Sequence, residues 1–456
     1  MKLERDSLRA LETALGQLEH GFAGLPEVSA GPPDSAAMAA VLGRAATRLQ
    51  DNYPYFHPLY AGQMLKPPHP VARTAYALAM WLNPNNHALD GGRASSAMEV
   101  EAVAEIAAMF GLPRHLGHLT SGGTVANLEA LWVGRRLAEE AGRTPLVLCS
   151  EQAHYTHTRI SAVLGMRCET VACDERGRMS VSALQSRLRQ AQAGHAFVTV
   201  VATFGTTAAG AIDPIGEIVQ LQLQYGFRLH VDAAYGGYFV LASGPGDGLA
   251  AAADAIAQAD SFVIDPHKHG LQPYGCGCVL FRDPTVGRFY KHDSPYTYFS
   301  SSQLHLGEIT LECSRAGAAA AALWTTQQLL PLKRGGEFAG MLDNCLAAAR
   351  DLHARLADDA RFIPMHAPQL DIVCWAAPAP SLEESSRRAQ AIFAAAAKLD
   401  LHLALVELPA RFFPALPAQS KSGATLTCLR SVLMKPEHKA WLPQIWQRLS
   451  QAANTM

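Results

Sequence analysis

Between about residue 114 and residue 283, short runs of apolar and β-branched residues alternate with stretches of helical periodicity. The runs are Pro145–Cys149, Ala196–Phe204, Arg228–Ala233, Ser261–Asp265 and Cys276–Phe281, and helical patterns fill roughly 123–140, 156–164, 181–192 and 214–225. Runs that are apolar throughout, rather than at every second position, belong in strands covered on both faces. The intervening helices supply that cover, so the pattern predicts an α/β fold built on a mainly parallel sheet. Such sheets bind ligands beyond the carboxyl ends of their strands. Polar residues at strand ends are therefore the first place to look for chemistry.

The flanking segments read differently. Residues 1–60 form an N-terminal arm: an amphipathic helix, a Gly/Pro-rich break from Ala30 to Asp34, a second helix, then Tyr53–Pro58. An arm with so little core of its own packs on the rest of the chain or on a partner subunit. Residues 61–320 hold the large domain, and 321–456 make a smaller C-terminal α/β domain. Within the latter, a long Ala-rich helical region begins near 316. A strand at Asp371–Ala376, a helix over 383–399, a strand at Leu401–Glu407 and a final helix over 437–451 follow.

Charge narrows the possible partners. The 38 basic and 40 acidic residues give a net charge of -2, with no basic block, which points away from nucleic acid and anionic membranes and towards a small-molecule ligand. The N-terminus lacks an apolar run with a small-residue cleavage site, and the apolar window from Phe197 to Ile212 is broken and too short to span a bilayer, so a cytoplasmic protein is expected. Nine cysteines, an odd number, fit no disulfide framework. Cys276 and Cys278 form a C-x-C that could bind zinc, but with no second pair nearby they read as alternate positions of a buried strand.

Five strand ends carry polar residues. Thr120-Ser-Gly-Gly-Thr-Val-Ala-Asn127 leads into a helix, and glycines and hydroxyls at a helix N-terminus suit a phosphate. An ordinary capped helix start would look the same. His154 follows the strand ending at Cys149, and Thr206 and Thr207 follow the strand that ends at Phe204. Asp232 closes the strand Arg228–Val231, where a carboxylate needs a cationic or hydrogen-bonding partner such as a pyridinium N–H; a turn or N-cap aspartate is the plain alternative. Lys268, in Asp265-Pro-His-Lys-His-Gly, stands beside the end of Ser261–Ile264, where partial removal from water favours the neutral amine of a nucleophile. His267 and His269 could be metal ligands, but no nearby carboxylate or cysteine completes a set. Together these positions could assemble a cofactor: phosphate on the helix N-terminus, His154 stacked on a ring, Asp232 on its nitrogen and Lys268 on its aldehyde carbon.

The set T-S-G-G-T-V-A-N-L-E-A-L (120–131), E-Q-A-H-Y (151–155), A-T-F-G-T-T (202–207), H-V-D-A-A-Y-G-G (230–237) and D-P-H-K (265–268) resembles the group II pyridoxal-phosphate-dependent decarboxylases, and the likeness runs in order from about residue 53 to the C-terminus. That family includes aromatic amino-acid, tyrosine, glutamate and cysteine-sulfinate decarboxylases. The resemblance implies the aspartate-aminotransferase-like fold type I, pyridoxal 5'-phosphate as cofactor, and a homodimer with shared active sites. It implies that Lys268 is the Schiff-base lysine, that Asp232 pairs with the pyridine nitrogen, that His154 stacks on the ring, that Ala234 lies beneath it and that Thr207 sits near it. Gly123, Thr124 and His267 fall at positions on the phosphate side. Arg430, in T-C-L-R-S-V-L (427–433), falls where an arginine pairs with the substrate α-carboxylate, a surface arginine being the alternative.

The substrate cues conflict. H-P-L-Y-A-G-Q-M (57–64), with Tyr60 and Gln63, resembles the segment lining the substrate pocket, and Gln63 falls where animal glutamate decarboxylases carry a glutamine. N-P-N-N (83–86), G-H-L-T-S-G-G-T-V-A-N-L-E-A-L-W-V (117–133), H-K-x-G-x-x-P-Y (267–274) and L-E-C-S-R-A-G-A (311–318) resemble bacterial tyrosine decarboxylases, which favours an aromatic substrate such as tyrosine or DOPA over glutamate or aspartate. Asp265 stands where many members have Asn, though the bacterial tyrosine branch also has Asp. The loop expected to carry the proton donor to the carbanion falls at about 291–307, with Tyr296, Tyr298 and His305 as candidates. A carbon–carbon lyase or an aldehyde synthase on the same scaffold is a rival reading, and a non-catalytic cofactor-binding homologue is another.

Overall fold

The structure, a computed structural model, describes residues 4–26, 31, 34–243, 248–291, 310–416 and 423–454. Helices α1 (Arg5–Gly21) and α2 (Ser35–Leu49) form the start of the chain, followed by α3 (Pro70–Met80) and α4 (Arg93–Met109). Then come β1 (Leu116–Thr120), α5 (Gly123–Glu140), β2 (Thr144–Ser150), α6 (Thr156–Val163), β3 (Arg167–Val171), α7 (Val181–Ala193), β4 (Ala196–Thr203), α8 (Ile215–Tyr225) and β5 (Arg228–Asp232). The large sheet finishes with α9 (Leu249–Ala255), β6 (Ser261–Ile264) and β7 (Gly277–Phe281).

These seven strands pair in the order β1-β7-β6-β5-β4-β2-β3. From β6 through β3 all neighbours run parallel, while β7 is antiparallel to both β6 and β1. This is the mostly parallel α/β sheet that the apolar runs predict. β5, β6 and β7 are buried at every position, so no alternation survives in their sequences. The chain leaves β1 at one edge and re-enters at β2 near the other, and α5 makes that crossing over β7, β6 and β5. Its inward face is accordingly small, with Ala126, Ala130 and Gly134 fully or nearly covered. Asn127, also buried, binds His230 on β5 (2.7 Å to Nε2), and Ser261 holds the other ring nitrogen at 2.9 Å.

The remaining elements are α10 (Gly317–Leu329), α11 (Glu337–Ala357), β8 (Ile363–Pro364), β9 (Ile372–Ala376), α12 (Leu382–Ala397), β10 (Ala404–Pro409), β11 (Thr425–Val432) and α13 (His438–Ala453). α10 packs against α3 and α4. The four strands form a second, antiparallel sheet in the order β10-β11-β9-β8, with Trp375 fully buried in its core. Ser381 caps α12 by accepting from the Glu384 backbone N–H, and Glu383 and Glu384 complement the helix dipole in the first turn.

Of the elements that escape the sequence pattern, three show why. β3 is half exposed and mixes Arg, Glu and Thr, so it lacks an apolar run. The Ala-rich region from 316 is two helices, broken at Pro331 and the Gly335-Gly336 pair. β11 carries Arg430 inside a buried strand, where the charged side chain interrupts the apolar signature. Cys278 lies in β7 and Cys276 just before it, both buried, as the strand reading has it.

Helices α1 and α2 bury no residue, and Leu8, Phe22, Met38, Leu42 and Leu49 stand exposed along them. No described helix is long and apolar enough to cross a membrane.

Candidate active site

A cavity of about 360 Å³ opens at the carboxyl ends of β4, β5 and β6, where the topology directs a ligand. Asp232 and Ala234 follow β5 into it, and Asp265, His267 and Lys268 follow β6. Thr207 enters from the loop after β4, His154 from the loop after β2, and Gly123 and Thr124 from the start of α5. Every residue singled out in the sequence as a cofactor contact lines this one space. The loops after β4 and β5 meet back to back through glycines. A Cβ on Gly236 would lie 2.3 Å from the Phe204 carbonyl oxygen, and one on Gly205, at φ +100°, would lie 2.8 Å from Leu370.

Asp232 is 5% exposed. Its Oδ2 lies 2.8 Å from His157 Nε2, and its Oδ1 accepts from the Ala234 backbone N–H at 3.1 Å. Burial alone would raise the pKa of this carboxyl, but the His157 hydrogen bond and the charges of His157 and Lys268 outweigh it. They hold the group well below the usual carboxylate range. His157 is fully buried on α6 and was missed in the sequence, where one histidine among several in a short helix carries no signal. Its distance of 75 positions from Asp232 hides the pairing. The His154 ring is half-buried at the wall, accepts from the Thr156 N–H at Nδ1, and has its pKa lowered mainly by burial, as does that of His267.

Lys268 Nζ lies 2.9 Å from Asp265 Oδ2, and that side chain remains 23% exposed to the cavity. The next residue, His269, is fully buried with Nε2 3.1 Å from Asp371 Oδ2, and Tyr235 donates its hydroxyl to Asp371 Oδ1 at 2.6 Å. Asp371 immediately precedes β9, so the second sheet is tied to the segments that follow Asp232 and Lys268.

Arg430 is 4% exposed, which overturns the surface-arginine reading. It donates from Nε to the Ala208 carbonyl at 2.9 Å and from Nη2 to the Thr207 carbonyl at 2.7 Å, and its Nη1 reaches Gln63 Oε1 and the Gly62 carbonyl at 3.4 Å. Arg430, Gln63 and the Thr207 loop are thus joined, beside the cavity rather than on its wall. Tyr60 is 5% exposed, and its carbonyl accepts from Lys435 Nζ at 2.6 Å, away from the cavity. Tyr296, Tyr298 and His305 lie outside the described residues.

The wall fits pyridoxal phosphate. Three of its buried polar atoms, Asp265 Oδ1, His267 Nδ1 and Thr203 Oγ1, have no hydrogen-bond partner among the described residues, as expected where a polar ligand completes the set. A Cβ at position 123 would sit 2.7 Å from Asp265 Oδ2, so Gly123 keeps open the approach to the helix N-terminus. The adjacent Ser121 N–H already draws an anionic oxygen, donating to Glu312 Oε2 at 2.8 Å.

Comparison with known proteins gives the same picture. Residues 74–377 match the family profile described as the pyridoxal-dependent decarboxylase conserved domain. L-tyrosine decarboxylase of Enterococcus faecium is 27% identical over 459 aligned positions, covering 77% of this chain and 75% of that protein. A probable L-tyrosine/L-aspartate decarboxylase of Methanoculleus marisnigri is 31% identical over 62% of this chain and 73% of its own length. Among solved structures, Oryza sativa TDC with PLP and tryptamine superposes with a TM-score of 0.80 over 100% of this chain and 99% of that one, at 16% identity.

Proposed function

The chain belongs to the pyridoxal-dependent decarboxylase family and is a pyridoxal-phosphate-dependent amino-acid carboxy-lyase; from that premise we propose that its substrate is an aromatic L-amino acid and that Lys268, Asp232, His154 and Arg430 carry the reaction. The observation behind the site is the convergence of Lys268, Asp232 and His154 on one cavity at the carboxyl ends of β4, β5 and β6. The aromatic reading rests on the tyrosine-branch motifs and on the tyrosine activity named for relatives.

Bound pyridoxal phosphate supplies an aldehyde for an amine and a protonated ring that draws electrons from Cα when a bond there breaks. Lys268 Nζ would supply the amine that holds the cofactor's aldehyde carbon. Asp232, kept ionised by His157, holds the proton on the ring nitrogen. The His154 ring, with its pKa lowered, offers an uncharged face for stacking. Gly123, Thr124 and His267 hold the phosphate, aided by the α5 dipole. Arg430 would take the substrate α-carboxylate with its Nη groups, exchanging the 3.4 Å contacts of Nη1 to Gly62 and Gln63 for the carboxylate while Nε and Nη2 stay on the Ala208 and Thr207 carbonyls.

His157 is a positioning residue in this scheme. His157→Phe removes the interaction that most lowers the Asp232 pKa, so that pKa rises. Asp232 works as a carboxylate and fails once protonated, so the acid limb of the kcat–pH profile moves to higher pH. A displacement of about one unit, or roughly tenfold in kcat on that limb, is expected, and His157→Gln, which keeps an N–H donor, restores most of it. An unmoved acid limb in His157→Phe would remove the residue from the scheme.

Arg430→Lys keeps the charge but loses the planar fork. KM is expected to rise about 10- to 100-fold, with a smaller change in kcat. Unchanged steady-state kinetics would show that the carboxylate is held elsewhere.

An acidic substrate is the second reading, favoured by Gln63, whose side-chain oxygen stands 3.4 Å from Arg430 Nη1. Carbon dioxide release across tyrosine, DOPA, tryptophan, glutamate, aspartate and diaminobutyrate separates the two, since kcat/KM highest for glutamate or aspartate overturns the aromatic assignment. The exposed apolar side chains of α1 and α2 suit burial against a second copy, and the nine unpaired thiols suit a reducing cytoplasm. Analytical ultracentrifugation giving a monomer at micromolar concentration would rule out the homodimer.

A further inference from the structure

At the opposite end of the same strands, a second cavity of about 860 Å³ opens near the amino ends of β4 and β5. Arg228, the first residue of β5, lines it and is 9% exposed. Its guanidinium has no hydrogen-bond or ion-pair partner among the described residues, and Nε and Nη2 are both covered and unsatisfied. Burial pushes its pKa down, and the charges of Asp260 and Asp283 nearby only partly oppose that.

The nearby carboxylates are otherwise engaged. Asp260 Oδ2 accepts from Gln222 Nε2 and the Leu229 N–H, both at 2.8 Å, and Oδ1 lies 3.1 Å from Arg282 Nη2. Asp283 accepts from the Thr285 N–H and hydroxyl at 2.9 and 2.7 Å. Arg288, also on the wall, lies 2.6 Å from Glu140 Oε2. Asp283 balances the charge of Arg228 without bonding to it, so the guanidinium keeps unused N–H donors beside a wall that includes Phe197, Val219, Phe227 and Val286. A buried guanidinium is normally paired, most efficiently by the two oxygens of a carboxylate. With Asp260 and Asp283 alongside, a single negative charge is tolerated better than the double charge of a phosphate.

We propose that this cavity is a binding site for a small monoanionic carboxylate with an apolar body, held by Arg228 and separate from the reaction centre. The site lies at the other end of the strands that carry Thr203 and Asp232, and none of its lining residues borders the cofactor cavity.

The test uses the full-length holoenzyme and benzoate as the probe, with benzyl alcohol as its uncharged counterpart and inorganic phosphate as the dianion. Calorimetric titration and thermal shift should show saturable benzoate binding, with neither control matching it. Arg228→Met should weaken the benzoate affinity by about 10- to 100-fold, the worth of a charge-assisted hydrogen bond. It should keep decarboxylase activity and leave the ligand-free melting temperature unchanged or raised, because buried N–H donors without partners are gone. Leu223→Asp, at an exposed position on the cavity wall, places a like charge there and should also weaken benzoate at least several-fold. Benzoate affinity within about threefold of wild type in both variants, equal binding of benzyl alcohol, or tighter binding of phosphate would overturn the assignment. So would a large fall in the melting temperature of ligand-free Arg228→Met, since it would mean the guanidinium is already satisfied within the fold.

Discussion

Lys268→Ala lowers turnover by about 10⁴-fold or more, the expected loss when a tethered amine that positions and exchanges the reacting group is removed. The side chain is 23% exposed and lines a cavity in which the proposed phosphate, ring and nitrogen contacts all come from other residues. The variant should therefore fold and still take up the cofactor, without a covalent bond to it. Asp265, only 3% exposed, loses its cationic neighbour at 2.9 Å, so the ligand-free variant is also expected to melt at a lower temperature. The checks are carbon dioxide release, the visible absorbance of the reconstituted protein, and peptide mapping after borohydride treatment. Wild-type protein should give a modified peptide at position 268, and the variant none. Activity within tenfold of wild type would remove Lys268 from the centre of the scheme.

Asp232→Ala has the second-largest effect. The proposed role of the carboxylate is to stabilise charge as it develops on the ring, and loss of one such pre-set electrostatic contact is worth about 10²–10³ in kcat. Retention of the cofactor should fall much less, because phosphate and lysine contacts remain. Asp232→Asn separates charge from shape: it keeps an acceptor for the Ala234 N–H and should be as slow as the alanine variant, yet more stable. The alanine variant leaves the buried His157 ring without its partner, at a stability cost of about 1–3 kcal/mol in urea titration. If the asparagine variant retained wild-type kcat, the charge would be irrelevant and the role assigned to Asp232 would fall.

The large sheet was legible because its central strands are buried on both faces and leave unbroken apolar runs. Those runs placed Asp232 and Lys268 at strand ends, and strand ends are where an α/β sheet receives ligands. β3 and β11 were hidden for opposite reasons. β3 is too polar to register as a run, and β11 holds an arginine whose hydrogen-bond partners lie 222, 223, 367 and 368 positions away. His157 was hidden likewise, because a partner distant in sequence has no periodicity to reveal it. The proposed substrate contacts are the least legible. Gln63 and Arg430 meet across 367 positions, and that meeting depends on how the second sheet docks rather than on any local pattern.

The trio formed by Asp371, Tyr235 and His269 bears on how this scaffold could be shuffled. Two members stand in the loops after β5 and β6 and the third at the entrance to β9, so every crossover between positions 270 and 370 separates them. A chimera with such a junction works only if the donor supplies an acid at position 371. With any other residue there, a buried phenol and a buried imidazole face a void, and the loop bearing position 268 loses its anchor. Exchange of C-terminal thirds among homologues is thereby confined to lineages that share this acid, whatever their overall similarity.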